Sequence, residues 1–156
     1  MAPVWQLCEG GELAELRLAL IRGEDVNSIK DEECKETGLM LAVLQEHNSV
    51  VRLLLEQPTL DLNCTDSQGA TALHHAADGD NAEAAKMLLA DPRLNTANLK
   101  DEYGDTPAMY TMTHECDQPA AINVLRELVA HPSVDLDIRE ESGMSLEEVA
   151  RWVLQQ

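Results

Sequence analysis

The chain contains no phenylalanine, and Trp and Tyr bring its aromatic content to only 3% of 156 residues. An interior without large rings must be filled by aliphatic and small side chains, which suits closely stacked helices better than pleated sheets. Positive charge is scarce as well: 11 Lys and Arg stand against 29 Asp and Glu, a formal net charge of -18. Such a surface repels phosphate backbones, which excludes nucleic acid as a partner and favours a basic protein segment. No run approaches the ~20 apolar residues of a membrane-spanning helix. The N-terminal "MAPVWQLCEGGELAELRLAL" also lacks a basic start followed by an apolar core. Cys8, Cys34, Cys64 and Cys116 form no C-x-x-C pair, which argues against a zinc ribbon or disulfide framework and for reduced thiols. Together these absences predict a cytoplasmic or nuclear protein without membrane contact.

Catalytic patterns are missing too. There is no G-x-S-x-G elbow, no phosphate-binding glycine loop and no H-E-x-x-H. Cys116 lies near His114, but Glu115 and Asp117 surround it, and their charge raises a thiol's affinity for its proton. Glu140 with Glu141 reads as a solvated turn, and Glu147 with Glu148 as the first turn of a helix, where negative charge suits the macrodipole. The expectation is a protein that is not an enzyme and takes no cofactor.

What the chain does have is repetition. Thr37, Thr71 and Thr106 recur at intervals of 34 and 35 residues, and Leu39, Ala42 and Leu54-Leu55 fall over Leu73, Ala76 and Leu88-Leu89. Degenerate copies flank these three, which gives approximate units 1–30, 31–64, 65–99, 100–138 and 139–156 of a single domain, 1–156. Each full copy reads as turn, short helix, turn, longer helix. Thr71 supplies an N-cap oxygen, and Asp78 to Asn81 interrupt the first helix with turn chemistry. "AEAAKMLLA" resumes it, with Leu88 and Leu89 facing the stack. Proline after Gln57, Asp91 and His131 stops each second helix. A unit of this size cannot bury its apolar face alone, so neighbours must stack into an all-α solenoid.

"GATALHHAA" at Gly69 to Ala77, "YGDTPAMYT" at Tyr103 to Thr111, and the endings "RGEDVN", "LDLN" and "VDLD" resemble the ankyrin repeat family. The resemblance covers nearly the whole chain and implies helix-turn-helix units joined by reverse-turn loops, about five in number with degenerate terminal caps. Trp5 and Trp152 lie in the outermost copies and are expected to cover the end flanks. Lys35 stands at a turn glycine position, and Ala108 and Met109 replace the family's Leu-His, which predicts distorted turns. Thr106 to Val129 spans 23 positions against 18 for Thr71 to Leu89, which predicts a protruding loop from Thr113 to Pro119.

Adjacent His74 and His75 invite a metal reading. The resemblance implies instead that His74 bonds locally to Thr71, and His75 points about 100° away from it on a regular helix. No metal site is expected. The resemblance further implies a monomeric scaffold or adaptor that binds another protein through a concave face of turn tips and first helices. Mapped here, the contact residues are Glu33, Glu36, Gln45, Gln68, Asp78, Glu102, Tyr103, Asp105, His114 and Glu141, with Cys34, Leu44, Ser67, Ala70, Gly79, Thr113, Ser142 and Met144 beside them. Acids dominate, and Tyr103 is an aromatic anchor for a Lys/Arg-containing segment. Asn63 in "LEQPTLDLN" looks like the asparagine hydroxylated in some ankyrin repeats by an intracellular oxygenase; an intact mass unchanged by such an enzyme removes that alternative.

Overall fold

The computed structural model describes residues 1–113, 119–138 and 145–154, with side chains for all of these but 112, 113, 119, 150 and 152–154. Residues 114–118 of the loop expected from Thr113 to Pro119, with His114 and Cys116, the turn residues Glu140, Glu141, Ser142 and Met144, and the Trp152 side chain lie outside the described residues. Thr113 and Pro119 themselves end and begin helices.

Among the described residues the chain forms helices α1 (Val4–Glu9), α2 (Leu13–Ile21), α3 (Gly38–Leu44), α4 (Asn48–Leu55), α5 (Ala72–Asp78), α6 (Ala82–Ala90), α7 (Pro107–Thr113), α8 (Pro119–Ala130) and α9 (Leu146–Leu154). They pair in sequence order. Helices α1, α3, α5 and α7 pack side by side in one layer, α2, α4, α6 and α8 in a second, and α9 packs on α8. Ala19, Leu54, Leu88 and Leu128 occupy one register position of the second layer, and all are fully buried. The repeat period thus sets the core, because each unit adds the same apolar stripe to its neighbour.

Local chemistry explains the helix boundaries. Thr37 accepts the Met40 amide at 3.3 Å and Thr71 the His74 amide at 3.5 Å, so the predicted caps form. The return bond of the capping box comes from unusual partners, the Met40 sulfur at 3.4 Å and the His74 Nδ1 at 3.0 Å. In the fourth unit Met109 occupies the histidine position, and the buried Thr106 hydroxyl has no partner among the described residues. Between the paired helices Gly11, Glu46 and Asp80 turn the chain with φ of 70°, 56° and 53°. Gly11 is required for a second reason: a Cβ there would lie 2.8 Å from the His47 ring.

That ring and its counterpart Asn81 tie the units together. His47 Nε2 contacts the Glu9 carbonyl at 3.1 Å, and Asn81 Nδ2 donates to the Val43 carbonyl at 3.1 Å, each from the mouth of a second helix to the end of the preceding first helix. A second ladder runs through the endings. Asn27, Asn63 and Asn98 donate to the carbonyls of Thr59, Arg93 and Ser133 at 2.8, 3.0 and 2.6 Å. Their side-chain oxygens accept the amides of Asp61, Asn95 and Asp135. Arg93 adds a clamp, donating to the carbonyls of Leu55 and Gln57 at 2.8 Å while Asp91 holds its guanidinium at 2.7 Å.

The reverse turns are built on an aspartate. Asp66 accepts the amides of Gln68 and Ala70 at 2.9 Å, and Asp101 those of Tyr103 and Asp105 at 2.9 Å, with Gly69 (φ 80°) and Gly104 (φ 89°) in left-handed conformation. The fourth turn therefore keeps the geometry of the third despite Ala108 and Met109. In the second unit the turn is wider. Lys30 N donates to the Glu36 carbonyl, and Lys35 takes the glycine role at φ 58°. A left-handed lysine costs more than a left-handed glycine. Lys35→Gly is expected to stabilise the fold by about 0.5–1 kcal/mol. The check is a raised urea midpoint at unchanged slope; an unchanged or lowered midpoint would show no strain at this turn.

The N-terminal cap is only partly sealed. Trp5 is half-buried against the second unit, where its Cα lies 3.3 Å from the position a Gly38 Cβ would take. Leu18 and Ile21 nevertheless remain 56% and 81% exposed on the outer helix.

Candidate functional site

The turn aspartates do more than shape their own loops. Ser67 N donates to the Cys34 carbonyl and Glu102 N to the Gln68 carbonyl, each at 2.8 Å, so successive tips are joined by backbone hydrogen bonds into one continuous edge. Gln68 reaches across to the Tyr103 hydroxyl at 3.3 Å. Glu33, Gln68 and Glu102 are exposed on this edge, and Tyr103 is 68% exposed. Asp105 is half-buried, because its carbonyl accepts a bond from below. The structure thus brings Glu33, Gln68, Glu102, Tyr103 and Asp105 into one row.

Glu36 is less available. It stands 4.0 Å from Lys30, whose ammonium binds Glu9 at 3.0 Å. Gln45 and Asp78 lie at the far ends of α3 and α5, exposed, and form a second row about 10 Å away across seven helical residues. Ala70, placed by sequence beside the contacts, is buried at 4% exposure and belongs to the core. His114 and Glu141 lie outside the described residues.

Beneath the tips sits the histidine pair. His74 is fully buried, with Nδ1 accepting the Thr71 amide at 3.0 Å and Nε2 donating to the Asp105 carbonyl of the next unit at 3.1 Å. Tyr110 packs edge-on against its ring at 5.4 Å. Burial pushes the imidazole below its ordinary value, against the opposing pull of the Asp105 carbonyl. His75 turns away and meets Asp66 at 2.9 Å, and the register-equivalent Tyr110 donates to Asp101 at 2.7 Å. Burial would raise the carboxyls of Asp66 and Asp101. The bonds that His75 and Tyr110 give them, together with the turn amides, outweigh it and hold both below the usual range. Both histidines are thus consumed in supporting the tips. Among the described residues no group of three His, Cys, Asp or Glu side chains is placed to hold a metal ion.

The described thiols are not poised as nucleophiles. Burial pushes Cys8 up to about 12, and burial with the Asp61 charge pushes Cys64 up to about 11. Cys34 is exposed on the edge, and Asp31 foremost, then partial desolvation, Glu36 and Glu33, raise its affinity for a proton. At Tyr103 the Glu102 carboxylate likewise favours the protonated hydroxyl. The edge therefore offers carboxylates beside an uncharged hydroxyl and thiol, and the carboxylates are the complement of guanidinium and ammonium groups.

Asn63 is half-buried and fully engaged. Its amide donates to the Arg93 carbonyl, and its oxygen accepts from Asn95 at 2.9 Å and Thr96 at 3.2 Å. Sequence inspection overlooked this stitching, although Asn27, Asn63 and Asn98 recur at nearly the repeat interval. It also overlooked Lys30, a cation placed to compete for Glu36.

A stack of helix pairs whose tips are joined by backbone hydrogen bonds defines a class: a helical repeat solenoid. The chain belongs to the ankyrin repeat family, since the family model for ankyrin repeats, in three copies, matches residues 5–98. Ankyrin repeats are in general protein–protein interaction modules and not enzymes. Similar proteins include the BTB/POZ domain-containing protein 1 of Schizosaccharomyces pombe, 36% identical over 65% of this chain and 7% of that protein. Inversin of Gallus gallus is 32% identical over 80% of this chain and 11% of its own length. The ankyrin repeat domain-containing protein SAT10 of Stachybotrys chartarum is 26% identical over 83% and 7%, respectively. The chain thus spans a small part of each of these relatives. Among the described residues no helix is long and apolar enough to cross a membrane.

Proposed function

We propose that this chain is a binding module, a scaffold or adaptor, that recognises a Lys/Arg-containing segment of another protein along the edge formed by Glu33, Gln68, Glu102, Tyr103 and Asp105. The observation that carries the reading is Tyr103, 68% exposed on a rigid turn with carboxylates on either side. An aromatic ring held in place loses little freedom on binding, and its face attracts a guanidinium. Glu102 and Asp105 supply charge that steers such a segment to it. Gln45 and Asp78 lie where a longer segment would cross the helix ends, and the proposal extends to His114 and Glu141, which lie outside the described residues.

Capture from cell lysate near physiological salt tests it. The wild-type chain is compared with Glu102→Lys, Tyr103→Ala, Asp105→Lys after both are shown to be equally helical. A partner retained by the wild type and lost by the variant supports the edge; equal retention of every partner refutes it. Hydroxylation of Asn63 is an alternative with a structural condition attached. An enzyme would first have to release the three inter-repeat bonds that hold that side chain.

A further inference from the structure

The scarce positive charge of this chain is not scattered. Arg17, Arg52, Lys86 and Arg126 follow one another at intervals of 35, 34 and 40 residues, the repeat period with the lengthening of the fourth unit included. They fall on α2, α4, α6 and α8, the second layer, and all four are exposed. By contrast α1, α3, α5 and α7 contain no Lys or Arg. The first-layer helices thus carry no cation, whereas each of these four outer helices carries one at the same register position, with carboxylates at Glu15, Glu83 and Glu127 on the same layer.

The surroundings of the row are plain. The exposed positions one turn away are mostly small and uncharged, Ala14, Ser49, Asn123, Ala90 and Ala130, and carboxylates enter these rows at Glu56 and Glu83. Glu127 stands off the row by about 100° of helix rotation. Glu83 pairs with Arg52 at 3.0 Å, but both side chains are more than half exposed, at 64% and 54%, so the contact is cheaply exchanged. Arg17, Lys86 and Arg126 have no ion pair among the described residues. Helix-dipole compensation does not account for the row, since Arg17 and Lys86 sit in mid-helix.

We propose that this row docks an extended acidic segment of another protein, laid across the outer helices. Packed helices stand about 8–10 Å apart, and an extended chain in the polyproline II conformation rises about 3.1 Å per residue with three residues per turn, so carboxylates at every third residue share one face and meet successive cations. The four cations limit the ligand to about 30 Å of chain. At physiological ionic strength the screening length is about 8 Å. The acidic tips, a helix diameter of about 10 Å or more away, are then largely masked. The surface is distinct from the edge proposed above and stands without it.

The test is fluorescence anisotropy near physiological salt, using a labelled peptide of about 12 residues repeating Glu-Ala-Thr, long enough to span the row at ~3.1 Å per residue. The wild-type chain is expected to bind it saturably. Arg17→Glu, Arg52→Glu, Lys86→Glu, Arg126→Glu is expected to weaken binding at least tenfold, as is clustering the glutamates at one end of the peptide. The same four positions changed to Gln provide a gentler variant should the reversal not fold. Glu102→Lys with Asp105→Lys is expected to leave the affinity within twofold. Absence of saturable binding, equal binding by the Gln variant, or tighter binding to phosphatidylserine vesicles or an oligonucleotide than to the peptide would each overturn the proposal.

Discussion

Replacing Asn81 by alanine is expected to lower the unfolding free energy by about 2–4 kcal/mol, a large part of the ~5–15 kcal/mol typical of a domain. Two losses combine. The side-chain oxygen caps α6 by accepting the Ala84 amide at 3.0 Å, and losing such a cap costs roughly 1 kcal/mol. The amide group donates to the Val43 carbonyl at 3.1 Å and to Asn48 at 3.0 Å, and the residue is only 5% exposed. Alanine removes both donations, leaving the Val43 carbonyl with the Glu46 amide alone at 3.1 Å, a loss of about 0.5–1.5 kcal/mol per bond. Because these bonds join the second and third units, the substitution weakens an inter-repeat interface as well as a helix. Urea unfolding measures the effect; a loss below about 1 kcal/mol would show that only the cap matters. Asn81→His is expected to recover part of the loss, since His47 makes the equivalent reach to the Glu9 carbonyl.

His74→Ala is expected to cost about 3–5 kcal/mol, combining a cavity in the first layer with an unpaired Thr71 amide and the loss of one of the two donors to the Asp105 carbonyl. His74→Met should cost less, because Met40 already fills this position in the second unit and returns a sulfur to Thr37. The histidine also makes stability depend on pH. Its folded value is lowered by burial, so the unfolded chain binds the proton more readily. This term is silent well above the unfolded value of about 6.5 and destabilises the fold as pH falls through it, by at most about 1.4 kcal/mol per unit until the folded value is reached. Asp66 and Asp101 act in a separate window. Their lowered values stabilise the fold above about 3.9, and that contribution is lost as pH falls further. Comparing urea midpoints of wild type and His74→Met between pH 7.5 and 5 isolates the imidazole. Parallel profiles for the two proteins would mean that His74 carries no such linkage.

Much of this architecture is legible in the sequence because the repeat converts one local pattern into a whole fold. Thr37 and Thr71 as caps, the proline stops after Gln57 and Asp91, and the buried Leu88 and Leu89 all follow from residue chemistry at fixed spacing. What the period does not encode is how a side chain reaches into the next unit. Asn63, Asn81 and Arg93 look like ordinary turn or helix-start residues, and their inter-repeat bonds exist only once the stack fixes the distances. Tyr103 was legible as an exposed aromatic among acids, but its contact with Gln68 depends on the tip-to-tip bonding of the backbone. The neighbour of Glu36 is hidden from the sequence for a similar reason: Lys30 is six residues away and comes within 4.0 Å through a widened turn. Ala70 was placed at the surface by its position in the turn, yet the amide bond to Asp66 folds it inward.

The measurement that bears most directly on the binding account is a titration of the isotopically labelled chain with a Lys/Arg-containing peptide, followed by backbone amide NMR near physiological salt. The account predicts saturable shifts concentrated at Cys34, Gln68, Glu102, Tyr103 and Asp105, abolished by Glu102→Lys, Tyr103→Ala, Asp105→Lys. Shifts confined to the outer helices or to Leu18 and Ile21, or shifts that survive in the variant, would contradict it.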